Sequence, residues 1–450
     1  MQIHAAESES RQQAPSLGLR ELTVEGCSRV IRERNTELRA VLHVLREPVV
    51  PENRGPLAGV PYVLKDTWDT AGIPTTGGSW RHRDRVPTES SRAYRALLET
   101  GAVLLGKSNL CDMAFSPESD NHLIGATRNP FDPARTSGGS TGGGSVAVAT
   151  GMAAFDWGTD FGGSIRMPAG FCGVSGLRLS AEAWPVNEDH FPRVSSFFWP
   201  MLGMGPVART PADCRLVVHA MRALRAACGT TNIARDQVAV YAPDPATTRQ
   251  WPTFVSDAAR ALMGAGVRFE IERTLPPPSA VNELFNAYLC AHFEDFIGTE
   301  EMTIGEGVKA VLFGLASAGR LDRRMHPNSG LLFGLVALGR YARYRDARPI
   351  DAQVARLREG ARSIWSRGRL IVSPMATVPP PKHGRAAFDL HLQAFMKLGN
   401  LTDATAISIP FGRFPSGLPR SLQILGPPGA EDAVLDLAER LHAQGLRSID

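Results

Sequence analysis

The sequence predicts an α/β fold, and two kinds of segment predict it. Short apolar runs bounded by turn residues, such as Val60–Leu64 and Leu370–Val372, read as strands buried on both faces. Segments with apolar residues at helical spacing lie between such runs, as in the succession Val238–Tyr241, Trp251–Ala265, Val267–Ile271. Strand, helix and strand in alternation is the pattern of a sheet with helices packed on it. The 450 residues suffice for a large core, and 43% hydrophobic with 21% charged residues is ordinary for a globular chain.

In chain order, residues 1–18 are polar and read as a disordered tail without the apolar run of a signal peptide. From Leu19 to about Asn35, Leu19, Leu22, Val30 and Ile31 fall roughly at helical spacing, which predicts a helix. Leu38–Leu45 reads as a strand and Pro48–Gly55 as a short loop. Val60–Leu64 is a buried strand that ends on Lys65. A buried ammonium is costly unless it is paired or its pKa falls. Lys65 is therefore either a surface lysine snorkelling to water or a functional one. Ser90–Leu105 predicts a helix and then a strand, with Gly101 as the helix stop. Further helices are expected over Gly144–Gly151, Pro211–Ala227, most of residues 278–365 and Ala430–Leu446.

The chemistry concentrates in residues 136–178. Ser137–Ser145 reads SGGSTGGGS, and Gly158–Arg166 reads GTDFGGSIR. Glycines here alternate with apolar runs such as Val146–Ala149, unlike a polar linker. Adjacent glycines can turn several N–H groups toward one point, and Ser164 directly follows Gly162-Gly163. An attacking hydroxyl beside converging donors is what acyl transfer requires. No Lys follows the glycines, so a phosphate-binding loop is disfavoured, and the G-x-S-x-G elbow is absent.

These blocks closely resemble the signature of the amidase signature family of serine hydrolases. GGSTGGGS and GTDFGGSIRMPAGFCGVSGLR stand where that family has GGSSGGS and GTDxGGSIRxPAxFCGxxGLK, and GPLAGVPYVLKD matches its GPLAGVPxxLKD. The resemblance covers residues 20–210 strongly and 370–445 moderately. It implies the family's fold, a central mixed twisted β-sheet covered by helices on both faces. A single domain over 19–450 is expected, with its core in 55–210 and 370–445 and a variable helical substrate-access region at about 278–365.

The resemblance also assigns roles. Lys65 is the base, Ser140 the relay serine held by a cis peptide after Gly139, and Ser164 the nucleophile. N–H groups from Phe161, Gly162, Gly163 and Ser164 form the oxyanion hole. Phe115 and Ser116 are assigned to the acyl pocket, although Phe115 reads equally as an ordinary core aromatic. Asp160 and Arg166 are expected to brace the loop, and Lys107, His122 and His190 to be structural. After Arg178 the chain departs from the family pattern, and aromatics at 191–199 point to an apolar or aryl acyl group.

Two enzyme classes share the signature. One is an amidase that splits an amide C–N bond through a serine acyl-enzyme. The other is an amidotransferase subunit of the glutaminyl or aspartyl-tRNA type, working with partner subunits. A catalytically dead binding protein is a third class, which the intact Lys65, Ser140 and Ser164 oppose. The net charge of +4 gives no dedicated nucleic-acid surface, and the local basic stretch Arg320–Arg324 reads as a solvated helix face. Six scattered cysteines without a C-x-x-C pair suggest neither zinc nor a redox motif, and fit reduced thiols in the cytoplasm. No metal or cofactor is expected, no apolar run is long enough for a membrane span, and the partner is a small amide, with a homodimer left open.

Overall fold

In the computed structural model, residues 18–185, 190–226, 233, 236–293, 295, 326–344, 346–389 and 391–445 are described. Residues 1–17 of the predicted tail, Arg320–Arg324, Cys228 and much of 294–325 lie outside them. The chain builds α1 (Val24–Leu38), β1 (Val41–Val49), β2 (Pro61–Lys65), α2 (Arg92–Glu99), β3 (Val103–Ser108), α3 (Gly142–Thr150), β4 (Phe155–Asp160), α4 (Arg166–Phe171), β5 (Ser175–Arg178) and β6 (Gly203–Ala208). It continues through α5 (Pro211–Ala220), β7 (Gln237–Val240), α6 (Phe254–Gly264), β8 (Arg268–Ile271), α7 (Pro278–Ala291), α8 (Pro327–Ala342) and α9 (Arg348–Ser366). It closes with β9 (Leu370–Pro374), α10 (Ala394–Leu401), β10 (Thr405–Arg413), β11 (Pro419–Gly426) and α11 (Glu431–Gly445).

All eleven strands join one sheet in the order β1-β3-β2-β4-β6-β5-β10-β11-β9-β7-β8. The sheet is mixed: β2 runs parallel to β3 and β4, while β4 pairs antiparallel with β6 and β10 with β11. Its two faces carry separate cores. Tyr62, Leu64 and Leu104 pack into one, while Val63, Val103 and Leu105 pack into the other. Alternation along a strand sends successive side chains to opposite faces, so helices cover both sides, as expected from the resemblance.

Several boundaries differ from the sequence reading: the first helix starts at Val24 rather than Leu19, β1 runs on to Val49 into the expected Pro48–Gly55 loop, and two further differences have a local reason. Helix α1 runs on to Leu38 and the strand begins only at Val41, because Arg39 turns left-handed (φ 53°). The Asn35 side chain takes the Ala40 and Val41 N–H groups at 2.9 and 2.8 Å, which ends the helix. Helix α5 stops at Ala220 rather than Ala227, since the chain leaves to hydrogen-bond Ala226 N to Ala183 O at 2.8 Å.

The site forms where β2 and β4 lie side by side at mid-sheet. Both strands are wholly buried: Lys65 closes β2, the loop leaving β4 carries Ser164, and Ser140 lies between β3 and α3. Tertiary neighbours dictate the glycines there. A Cβ on Gly139 would stand 2.5 Å from Ser116 O, and Gly163 has φ +107° with Met396 Sδ at 2.5 Å from its missing Cβ. Neither position admits a side chain.

Candidate active site

Lys65 is fully buried because it closes a central strand whose neighbours occupy both edges. Its Nζ lies 2.7 Å from Ser140 Oγ, 3.2 Å from Thr159 O and 3.0 Å from Thr159 Oγ1. Burial lowers its pKa to about 8. The same burial raises Asp156, on the adjacent strand, to about 7. Both groups are thus driven toward their neutral forms near neutral pH.

Ser140 follows the cis peptide bond Gly139–Ser140 and precedes α3. Ser119 Oγ donates to its carbonyl at 3.2 Å. Thr141 N donates to Ser164 O at 3.1 Å, which sets the two serine loops side by side. Among the described residues Ser164 Oγ makes no hydrogen bond to the protein, so its hydroxyl is uncommitted. Ser116 backs this loop: its carbonyl accepts from Cys111 Sγ and stands against Gly139. Phe115, half-buried, follows a turn in which Met113 and Ala114 have φ near +55°.

The nucleophile loop is braced from below. Asp160 accepts from Gly163 N at 2.9 Å, Ile165 N at 3.1 Å and the Arg166 guanidinium at 2.9 and 3.0 Å. Burial alone would raise the Asp160 carboxyl, but the Arg166 guanidinium outweighs it and holds the group well below the usual carboxylate range. Arg166 in turn donates to Met396 O, Gln423 Oε1 and Asn400 Oδ1 at 3.1, 3.0 and 2.8 Å. This engagement corrects one expectation. The Gly163 N–H is committed to Asp160 and does not face an oxyanion. Gly162 and Ser164 N–H have no protein partner among the described residues, which is the condition for such donors.

The sequence reads His190 as structural, yet it reaches the base. Its Nδ1 lies 2.8 Å from Pro192 O and its Nε2 3.2 Å from Thr159 Oγ1. A carbonyl only accepts, so Nδ1 carries the proton and Nε2 accepts from the Thr159 hydroxyl. Burial lowers His190 to about 4, so the ring is neutral. Thr159 Oγ1 must then accept from Lys65. A neutral amine has two N–H groups and one lone pair. Both N–H groups are taken by Thr159, and the lone pair is left facing Ser140. Only its place in a stretch that departs from the signature could have drawn attention to His190. Replacing it by Phe removes the acceptor and lets Thr159 donate into the lysine lone pair. We expect kcat for amides to fall about 10-fold or more on the high-pH plateau, with partial recovery in His190→Gln, measured as kcat against pH.

Lys107 and His122 stay away from the reacting groups. Lys107 Nζ meets Trp68 O, Thr75 Oγ1 and Asp66 at 2.7, 2.8 and 3.3 Å, and the His122 ring packs on His326. Among the described residues no group of three His, Cys, Asp or Glu could hold a metal ion, and no helix is long and apolar enough to cross a membrane.

Comparison with known proteins fits this geometry. The profile of the amidase family matches residues 35–435. A glutamyl-tRNA(Gln) amidotransferase subunit from Moorella thermoacetica is 31% identical over 426 residues, covering 86% of this chain and 83% of that one. A bacterial aryl acylamidase of the amidase signature family superposes with a TM-score of 0.72 at 19% identity, over 98% of this chain and 94% of its own. The native peptide amidase of Stenotrophomonas maltophilia superposes with a TM-score of 0.68 at 22% identity, over 99% and 96%.

Proposed function

The chain belongs to the amidase family, and we propose that it hydrolyses a carboxylic amide C–N bond through an acyl-enzyme on Ser164. The observation that carries this reading is the buried Lys65 amine, 2.7 Å from Ser140 Oγ, with its other contacts to Thr159 O and Thr159 Oγ1 at 3.2 and 3.0 Å. A serine hydroxyl attacks poorly unless a base takes its proton. Lys65 accepts the Ser140 proton while Ser140 accepts that of Ser164, and Ser164 Oγ attacks the amide carbon. Gly162 and Ser164 N–H hold the oxyanion. As the C–N bond breaks, Ser140 returns a proton to the leaving nitrogen. Water then attacks the acyl-enzyme through the same relay.

The substrate is a small amide, and the free thiols buried among the described residues, Cys27, Cys111, Cys172, Cys214 and Cys290, suit a reducing cytoplasm. The similarity to an amidotransferase component supports a second reading, in which the same site releases ammonia for a partner. A panel of aliphatic, aryl and amino-acid amides assayed on the purified chain separates the two. The amidase reading requires amine or ammonia release without any partner. A fluorophosphonate probe is expected to add its mass to Ser164 alone. A label on another serine in active protein would refute the assignment.

A further inference from the structure

Among the described residues three lysines are buried, and one of them has a single hydrogen-bond acceptor and no carboxylate. Lys65 has three contacts and Lys107 has three, one of them the carboxylate of Asp66. Lys397, on the second turn of α10, is only 6% exposed. Its Nζ donates to Gln393 Oε1 at 3.1 Å and rests 3.9 Å over the Phe285 ring. No carboxylate pairs with it among the described residues. Asp160, the nearest candidate acid, is already bonded to Arg166 and Asn400. An ammonium has three N–H donors, and a buried cation left short of partners is costly. Burial accordingly lowers Lys397 to about 7.

The position of this amine is informative. A Cβ on Gly162 would lie 2.7 Å from Lys397 Nζ, so the ammonium stands against the oxyanion loop. Met396, its neighbour on α10, covers Gly163 in the same way. The relay fixes which part of a substrate comes here. The leaving nitrogen must face Ser140 to receive its proton, and Ser140 lies on the Lys65 side of Ser164. On this reading the acyl chain leaves on the flank away from Ser140, where α10 and Phe285 border the nucleophile loop. Phe161 and Phe198 continue this wall, with ring centroids 5.8 Å apart, and Phe161 lies 6.0 Å from Phe285.

We infer that Lys397 anchors a carboxylate carried on the acyl chain, so that the preferred substrates are half-amides of dicarboxylic acids. Apolar walls hold the methylene spacer, and the ammonium gains the anionic partner that the described residues do not supply. The inference rests on Ser164 being the acylated residue and sharpens that reading from any amide to an anionic one. It also replaces the aryl acyl group suggested by the aromatic residues alone.

The test compares succinamate, glutaramate and adipamate with neutral aliphatic amides of equal length. In the intact enzyme, kcat/KM for the best half-amide is expected to exceed that of its neutral counterpart by about 10- to 100-fold, the range of a hydrogen bond to a charged group. Lys397→Met should remove that advantage through KM, cost half-amides far more than neutral amides, and be partly rescued by Lys397→Arg. Calorimetry on Ser164→Ala, alone and combined with Lys397→Met, reads half-amide binding without turnover. Fluorophosphonate labelling of Lys397→Met at the normal rate shows that the site still folds. Equal losses on charged and neutral amides, or undiminished half-amide binding in the Lys397→Met background, would overturn the inference and leave the amidase reading intact. An enzyme inert on every amide, yet binding half-amides through Lys397, would overturn the amidase reading instead.

Discussion

Lys65→Met should lower amide turnover by about 10⁴-fold or more, the usual cost of removing a member of a catalytic triad, without lowering stability. The two halves of this result have one cause. In the unfolded chain a lysine holds its proton up to about pH 10.4, whereas burial lowers Lys65 to about 8. Below pH 8 the folded protein must bury an ammonium that the unfolded chain keeps in water. This group therefore subtracts stability as pH falls from 10.4 toward 8, and the full cost, on the order of 3 kcal/mol, persists at neutral pH. Methionine removes that cost but takes a donor from Thr159 O and Thr159 Oγ1, which returns about 1–3 kcal/mol. The net change lies between zero and a modest gain, read from urea midpoints at pH 7. A lysine kept for structure would show the opposite sign. In the intact enzyme, kcat/KM should rise with pH through about 8 as Lys65 loses its proton. Activated esters, whose leaving groups need no proton, should suffer less from Lys65→Met than amides do.

The parts of the site that can be read from sequence are those written in consecutive residues. Lys65 at the end of an apolar run, and Ser140 and Ser164 in glycine blocks, are local patterns, and the structure brings Lys65 against Ser140 and sets the two serine loops side by side. The buried strands are legible for the same reason. His190 is not, because its role comes from an imidazole meeting Thr159 across 31 residues of chain. Lys397 is hidden more deeply, since only packing of α10 on the nucleophile loop shows that it is buried beside Gly162 without an acid. The commitment of Gly163 N–H to Asp160 lies within three residues. It stays hidden all the same, because a run of glycines gives no sign of which amides turn inward. Helix ends depart from the local pattern where side chains or distant carbonyls take over the backbone, as Asn35 and Ala183 do.

Arg166→Leu should destabilise the fold by about 3–5 kcal/mol, the cost of stripping one partner from a buried ion pair. Asp160 and Arg166 are both wholly inaccessible. Leucine fills part of the space but leaves Asp160 without its main counter-charge, takes a donor from Met396 O, and leaves Gln423 Oε1 and Asn400 Oδ1 without one. The sign with pH follows from the carboxyl. Its folded pKa is depressed by Arg166, so the stability it contributes is present above the unfolded value of about 3.9 and is lost only as pH falls below it. The intact protein should keep this contribution across pH 5–8. With Arg166 gone, burial is opposed by Arg178, 4.0 Å away, by Asn400 and by the Gly163 and Ile165 N–H groups, none of them a close counter-charge. The carboxyl then rises toward neutrality, and the deficit should be smaller at pH 5 than at pH 7.5. The surface pair of Arg348 with Asp346 serves as the control, since Arg348→Ala should leave the urea midpoint unmoved. Arg166 also ties the nucleophile loop to α10, so the variant should label more slowly at Ser164 even under conditions where it remains folded. Equal midpoints for Arg166→Leu and the intact protein at pH 7.5 would show that the pair does not hold the loop.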